Sequence, residues 1–188
     1  MGGVWERQIR TVKGVLSSLV KSSPRLLDEE TLSTFLAEAE AIVNSRPLTI
    51  DNLHDPGSSP LSPNQILTMK SRLVLPPPGV FQEADLYCRK RWRVAQHLAN
   101  CFWTRWRKEY LQVLQARQKW VEVKRNLQVD DVVLLKEEGV VRGHWPMARV
   151  AEAHQSEDGL VRSVTVQVGR QMLKRPVNKT VLLVATNS

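Results

Sequence analysis

The sequence predicts an α+β protein, with helices over the first two thirds of the chain and a small β-barrel towards its C-terminal end. Two patterns indicate this. Up to about Trp120, apolar residues recur at intervals of three or four, which places them on one face of a helix. From Leu127 onward they alternate with other residues, as they do in strands. The 188 residues, 42% of them hydrophobic, are enough to bury a core.

Two helices are predicted before residue 50. The first runs from Trp5 to Val20 and ends before Pro24; its apolar positions are Trp5, Ile9, Val12, Leu16 and Leu19. The second begins after Asp28, which can cap its first turn, and stops before Pro47, because the residue before a proline disfavours helical geometry. Residues 51–82 are rich in proline, glycine and serine. They predict a linker, interrupted by a short helical turn near residues 64–69.

A long basic helix is predicted over residues 83–125. Between residues 89 and 125 the sequence has eleven Lys and Arg residues against two acids. The bases that lie broadly away from the apolar face, and are expected to contact phosphates, are Lys90, Arg93, Arg105, Lys108 and Lys119. The alternative is a solvated face on which arginine stems cover tryptophans. Tryptophans at helical spacing, such as Trp92 and Trp106, are more often core residues than stacking platforms for nucleobases.

Five short strands are predicted in the last third of the chain. They lie near residues 131–136, 146–154, 160–168, 171–174 and 180–184, and we expect them to close into a small barrel. The turn between the second and third strands is predicted at Glu157-Asp158-Gly159. The bases expected on the barrel surface are Arg142, Arg149, Arg162, Lys174 and Arg175, together with His144.

Composition narrows the classes of partner. A net charge of +8 and a pI near 9.9 indicate an anionic partner, most often nucleic acid. Cys88 and Cys101 have no partners at metal-ligand spacing, so both are expected to be reduced packing residues. No segment approaches the ~20 apolar residues that cross a bilayer, and the N-terminus lacks a signal peptide. We therefore expect an intracellular protein without a membrane partner.

One polar stripe of the first helix is a candidate site. Glu6, Arg10, Lys13 and Ser17 are spaced by four and three residues, so an acid and two bases share an exposed line. Ordinary pairing between Glu6 and Arg10 on a solvated face also accounts for this spacing. The residues alone leave both interpretations open.

A family resemblance begins at this stripe. Gly2-Gly3-Val4-Trp5-Glu6-Arg7, followed by Arg10, Val12 and Lys13, resembles the segment of retroelement integrases that holds the last acid of the D,D-E triad. The stretch from Ala37 to Thr49 resembles the next core helix and its exit. The distal half resembles the C-terminal region of BEL/Pao-type retrotransposon integrases at Arg91-Trp92-Arg93, at residues 102–111, at Arg117-Gln118-Lys119-Trp120, at residues 131–135, at Gly143-His144-Trp145-Pro146, at residues 158–162 and at residues 173–177.

The resemblance implies a domain plan and a chemistry. Residues 1–50 would be the last helices of an RNase H-like catalytic core, 51–82 a linker, 83–125 the basic helix and 126–188 an SH3-like β-barrel. Glu6 would be a vestigial triad acid that binds metal only if the missing aspartates were supplied, and Arg10 and Lys13 would contact DNA. The complete family enzyme uses Mg or Mn. The bases Arg149, Lys174 and Arg175 of the barrel would also contact DNA.

The order of the acids limits this chemistry. The two aspartates of the family precede the glutamate, whereas every aspartate here follows Glu6. One carboxylate cannot hold a metal pair, so we expect a fragment that binds DNA in the nucleus, needs no cofactor and does not transfer strands alone. One alternative is a non-catalytic module that binds chromatin protein or self-associates through the barrel and long helix. Another is an enzyme completed by upstream exons.

Overall fold

The computed structural model describes residues 3–23, 27–49, 60–69, 76–121 and 125–186, and within these the side chains at positions 4, 5 and 116–121 lie outside the description. The chain forms two compact units. The helical unit consists of Met1–Ser45 and Leu73–Tyr110, and the strand-rich unit of Arg46–Arg72 and Leu111–Ser188. The α+β class predicted from the sequence is confirmed.

The elements follow the chain in this order. The helices are α1 (Gly3–Ser22), α2 (Glu29–Asn44), α3 (Pro63–Thr68) and α4 (Arg91–Val121), and 3₁₀ helices lie at Glu83–Tyr87 and Val177–Lys179. The strands are β1 (Val132–Leu135), β2 (Met147–Gln155), β3 (Val161–Val168), β4 (Gln171–Pro176) and β5 (Thr180–Val184). Among the described helices, none is long and apolar enough to cross a membrane.

The helical unit buries an aromatic core between α2 and α4. Asp28 caps α2, as predicted, by accepting a hydrogen bond from the backbone N–H of Thr31 at 3.0 Å. The ring of Phe35 meets that of Phe102 edge to face, with centroids 6.4 Å apart. Phe102 in turn stacks with Trp106 at 6.3 Å, and all three side chains are inaccessible to solvent. Burying such rings contributes about 2 kcal/mol or more each.

Two expectations for the helices are wrong. Ile9, assigned to the apolar face of the first helix, is 48% exposed, because the buried face is centred on Val15 and Leu19 and Ile9 lies at its edge. The long helix begins at Arg91 rather than Glu83. Before it, Asp85 accepts hydrogen bonds from the backbone of Gln82 and from a later side chain, which holds residues 83–87 as a separate 3₁₀ turn.

The strand-rich unit contains one antiparallel sheet in the order β4-β3-β2-β1-β5. β1 to β4 follow one another as a meander, and the 3₁₀ turn after β4 leads to β5, which pairs with the other side of β1. Each predicted strand boundary lies within two residues of the observed one. The core side chains are Val133, Leu135, Ala148, Val150, Val164 and Val166.

In the strand-rich unit, the predicted turn is confirmed and the expected exposure of one arginine is wrong. Gly159 has a φ of +77° between β2 and β3, and the turn closes with the N–H of Gly159 bonded to the carbonyl of Ser156 at 2.9 Å. This confirms the turn at residues 157–159. Arg142, expected on the barrel surface, is only 5% exposed, so that expectation is wrong.

Other segments of the same unit adjoin the sheet or form local structure. At the end of α4, Gln115 donates to the carbonyl of Thr180 at 3.3 Å and accepts from Lys136 at 2.8 Å. Thr49, just before the predicted linker, forms an isolated antiparallel β-bridge with Leu61 within it. The N–H of Leu48 donates to the carbonyl of Leu61 at 2.8 Å, and the N–H of Leu61 donates to the carbonyl of Thr49 at 3.1 Å. α3 follows where the short helical turn is predicted, and Ser62 and Gln65 form its capping box.

Candidate nucleic-acid interface

The polar stripe of α1 faces solvent. Glu6, Arg10 and Lys13 are all exposed, and they lie about 180° around the helix from the buried Val15 and Leu19, since each residue advances about 100°. Among the described residues, no three His, Cys, Asp or Glu side chains group as metal ligands. In that part of the chain, Glu6 is therefore not a member of a group of three such side chains.

Arg105 brings the bases of α4 beside α1. Its Nη1 donates a hydrogen bond to Ser18 Oγ at 3.2 Å, and this neutral partner leaves the guanidinium charge uncompensated. Lys108 is exposed three residues later, where side chains of a helix are neighbours. Arg10 and Lys21 are exposed on α1 between its solvent face and the Ser18 side. The hydrogen bond of Arg105 thus links α4, with Arg105 and Lys108, to α1, which carries Arg10 and Lys21.

We call this set the α1–α4 basic surface. Its members are Arg10, Lys13, Lys21, Arg105 and Lys108, all of them exposed. Within the described parts of the chain, none of the five forms an ion pair. Unpaired cations on exposed helix faces are available to phosphate oxygens.

Most acids of the helical unit lie in or just before α2, although Glu6 is on α1 and Glu109 is on α4. Residues 28–45, which contain α2, have five acids and no Lys or Arg. One of them, Asp28, pairs with Arg91 at the start of α4, and another, Glu38, accepts a hydrogen bond from Gln96 at 2.7 Å. Acids therefore predominate in α2, whereas bases predominate on α1 and α4.

Three of the predicted DNA contacts are in ion pairs instead. Arg93 Nε and Nη2 donate to the two carboxylate oxygens of Asp85 at 2.7 and 3.2 Å. These bonds, and next the backbone N–H of Gln82, lower the pKa of Asp85. Arg149 pairs with Asp130, and Arg175 lies 3.7 Å from Glu137. Part of the charge on these arginines is compensated within the protein.

The other predicted contacts have varied settings. Lys90 is exposed just before α4, and Lys174 is exposed on β4 opposite Thr165 of β3. The side chain of Lys119 lies outside the described residues, although its backbone is part of α4. The structure therefore places Arg10 and Lys13 on the exposed side of α1, and Arg105 and Lys108 on α4, which a hydrogen bond from Arg105 joins to α1 at Ser18. It places Lys90 and Lys174 elsewhere.

The two cysteines are free, as expected. Cys101 lies on α4 with its Sγ 3.4 Å from His97 Nε2. Burial raises the pKa of the Cys101 thiol, while the charge of Arg105 acts in the opposite direction. A raised pKa disfavours the thiolate, so this pair is a poor nucleophile.

A comparison with protein families places the second half of the chain. The profile of a family of unknown function, DUF5641, matches residues 90–183, which are 94 of the 188 positions. The chain belongs to DUF5641. The DUF5641 match begins one residue before α4 and extends into β5, so it contains Arg105 and Lys108 but not the bases of α1. No curated protein and no solved structure was found to match.

Sequence reasoning missed parts of this DUF5641 protein. Lys21 was not among the predicted contacts, because only the Arg105–Ser18 bond shows which flank of α1 adjoins α4. Asp131, buried at 0% exposure, was also missed. Its carboxylate accepts from Arg125 Nη2, Gln128 N and Thr186 N at 2.7, 2.8 and 3.0 Å. The i,i+3 spacing from Gln128 was the available signal, since a side-chain acceptor at that spacing commonly caps a turn.

Proposed function

We propose that this DUF5641 protein is an integrase-derived DNA-binding protein that contacts the phosphate backbone without sequence specificity through the α1–α4 basic surface. The observation that carries the proposal is the presence on α1 and α4 of five exposed cations that pair with no acid among the described residues. The likeness of residues around Glu6 and along α4 to integrases supports DNA, among anionic partners, as the ligand.

The chemistry of the surface favours backbone contact over base reading. Lys and Arg side chains neutralise phosphates and release the counterions condensed on DNA, whatever the base sequence. Phosphate contacts position a protein on DNA, and only contacts with base edges specify sequence. The acids of α2 complement this arrangement, because they repel DNA from the other helix of the same unit.

The proposal does not include strand transfer by the described residues. That reaction uses two divalent metals bound by several carboxylates, which activate the nucleophile and stabilise the leaving oxygen. Glu6 is an exposed, single acid on α1. Its position fits descent from an integrase, while the exposed bases near it fit DNA binding.

The test measures the affinity of the full chain for a labelled random-sequence duplex over a series of salt concentrations. Arg105→Glu with Lys108→Glu should weaken binding and reduce the slope of log K against log salt by about 2, since each lost phosphate contact contributes about 0.9. Arg10→Glu with Lys13→Glu should do the same. Duplexes of different sequence should bind with similar affinity.

A matched control separates the surface from net charge. Arg170→Glu with Lys179→Glu changes the charge equally, but on exposed residues of the strand-rich unit outside the proposed interface. The control should change the slope by less than about half as much. Equal effects of the two double variants would refute the α1–α4 basic surface. Association that is insensitive to salt would instead favour a protein-interaction module formed by the barrel and the long helix.

A further inference from the structure

An exposed aromatic patch precedes and begins α4. Trp92 is 48% exposed and Tyr87 is 59% exposed, whereas Trp103, Trp106 and Trp145 are at most 6% exposed. Trp92 was expected on the apolar face of the long helix, and its exposure corrects that expectation. A large aromatic ring open to solvent on an ordered helix is typical of a binding surface.

The ring of Trp92 is held in place by Phe81 and Arg93. Phe81 meets it edge to face, with centroids 5.6 Å apart and planes at 82°. The guanidinium of Arg93 lies 5.7 Å from the Trp92 ring and 5.3 Å from that of Phe81. We call Phe81, Trp92 and Arg93 the Trp92 platform. Because its ring is already fixed, Trp92 loses little conformational freedom when a ligand stacks on it.

Two further contacts fix the platform itself. Arg93 is held by both oxygens of Asp85 and also donates to the carbonyl of Val80 at 2.9 Å. Phe81 lies over Gly79, where an added Cβ would come within 3.2 Å of the ring. Gly79 has a φ of +141°, which a glycine adopts readily. The platform is therefore built by the segment before α4 as well as by α4.

The charges next to the platform suit a polyanion. Arg89 and Lys90 are exposed immediately before α4, and Arg91 is partly exposed although it pairs with Asp28. The segment 80–93 has four bases and two acids, and one of the acids, Asp85, is taken by Arg93. Bases near the start of a helix are unfavourable for the helix dipole, so helix stability does not explain Arg89 and Lys90.

We propose that Trp92 stacks on an unpaired nucleobase of single-stranded DNA, while Arg89 and Lys90 contact the adjoining phosphates. An aromatic face combined with cations is the chemistry by which proteins bind single strands, because every base has a face to stack. In an intact duplex the bases are already stacked on one another, and their faces are not open to Trp92. This inference rests on the proposed DNA binding and adds a preference for unpaired ends or loops.

The experiment compares three labelled ligands at one low salt concentration with the full chain. They are an oligo(dT) of about 12 nucleotides, the abasic analogue of the same length, and a duplex. Trp92→Ala should lower affinity for oligo(dT) by about 5-fold to 150-fold, which is the range for loss of one stacked base. Affinity for the abasic strand and for the duplex should change less than about twofold, because neither presents an open base.

Two further variants serve as controls. Trp92→Phe keeps a ring against Phe81 and a face for stacking, so it should retain most of the affinity for oligo(dT). Met172→Ala removes another exposed apolar side chain, 58% exposed on β4, and should have no effect. Loss of affinity in Trp92→Phe with unchanged helix content would overturn the proposal. So would equal losses by Trp92→Ala on the oligo(dT), abasic and duplex ligands.

The outcomes also separate this inference from the proposed function. If the wild-type chain binds none of the three ligands, both fail. If duplex binding depends on Arg105 and Lys108 but Trp92→Ala leaves oligo(dT) affinity intact, only the stacking site fails. Self-association of the chain that Trp92→Ala abolishes would assign the platform to a protein contact, and would likewise overturn the inference.

Discussion

The buried carboxylate of Asp131 offers the sharpest test of the strand-rich unit. It is 0% exposed and accepts three hydrogen bonds, two of them from the backbone of Gln128 and Thr186. The perturbation is Asp131→Asn, which keeps the shape but replaces one acceptor oxygen with a donor amide. At least one of the backbone N–H groups then loses its partner in a buried position.

The magnitude follows from these contacts. Arg125, the charged partner, is 31% exposed, so water partly replaces its lost ion pair and that part is small. Hydrogen bonds to a charged acceptor contribute about 1.5 to 3 kcal/mol each, and an unsatisfied buried donor costs a similar amount. We therefore expect Asp131→Asn to destabilise the strand-rich unit by about 3 kcal/mol, which is roughly a 150-fold change in its opening equilibrium.

The assay is native-state hydrogen exchange of peptides from β1 and β5, with the neighbouring Asp130→Asn as control. Asp130 has the same side chain, is 47% exposed and pairs with Arg149. Its φ of +71° is a conformation that Asn tolerates. The control should cost less than about 1 kcal/mol. Two results would refute the account of Asp131. Either both variants lower the protection of β1 and β5 equally, or Asp131→Asn lowers it by less than about twofold.

Three further predictions concern the helical unit. Gly14→Ala in α1 should raise the free energy of unfolding by about 0.5 to 1 kcal/mol in urea denaturation, because an added Cβ meets nothing within 4 Å and glycine weakens a helix; a lower midpoint would contradict this. The pKa of Asp85 is lowered, so the Asp85–Arg93 contact is intact above about pH 4 and is lost as the pH falls further. Residues 80–93 should therefore lose protection from hydrogen exchange in acid, and Asp85→Asn should abolish this dependence on pH. Because burial raises the pKa of Cys101, its alkylation followed by mass spectrometry should be slower at pH 8 than that of an unfolded-chain thiol, and equal rates would refute the burial.

The strands could be predicted from the sequence because their signal is local. Val164 and Val166 alternate with polar residues in β3, and only one face of that strand contacts the core. Glycine at position 159 marks the turn that precedes it, because a positive φ there suits glycine. Periodicity and turn chemistry together were sufficient for every strand.

The start of α4 could not be predicted in the same way. The apolar spacing continues through residues 83–87, but Asp85 binds Arg93 eight residues away and interrupts the helix. By contrast, the exposure of Arg10, Lys13 and Lys108 could be predicted from helix geometry alone. The pairing of Arg93 and Arg149 with acids did not, because it depends on which carboxylates the fold brings near.

The separation of acids on α2 from bases on α1 and α4 gives the helical unit an electric dipole moment. In the field of a polyanion such a body experiences a torque as well as an attraction, so it is oriented before it makes contact. Pre-orientation of this kind acts mainly on the rate of encounter and not on the lifetime of the complex. The acids of α2 thus affect how the helical unit is oriented as it approaches DNA, and not only how strongly it is attracted.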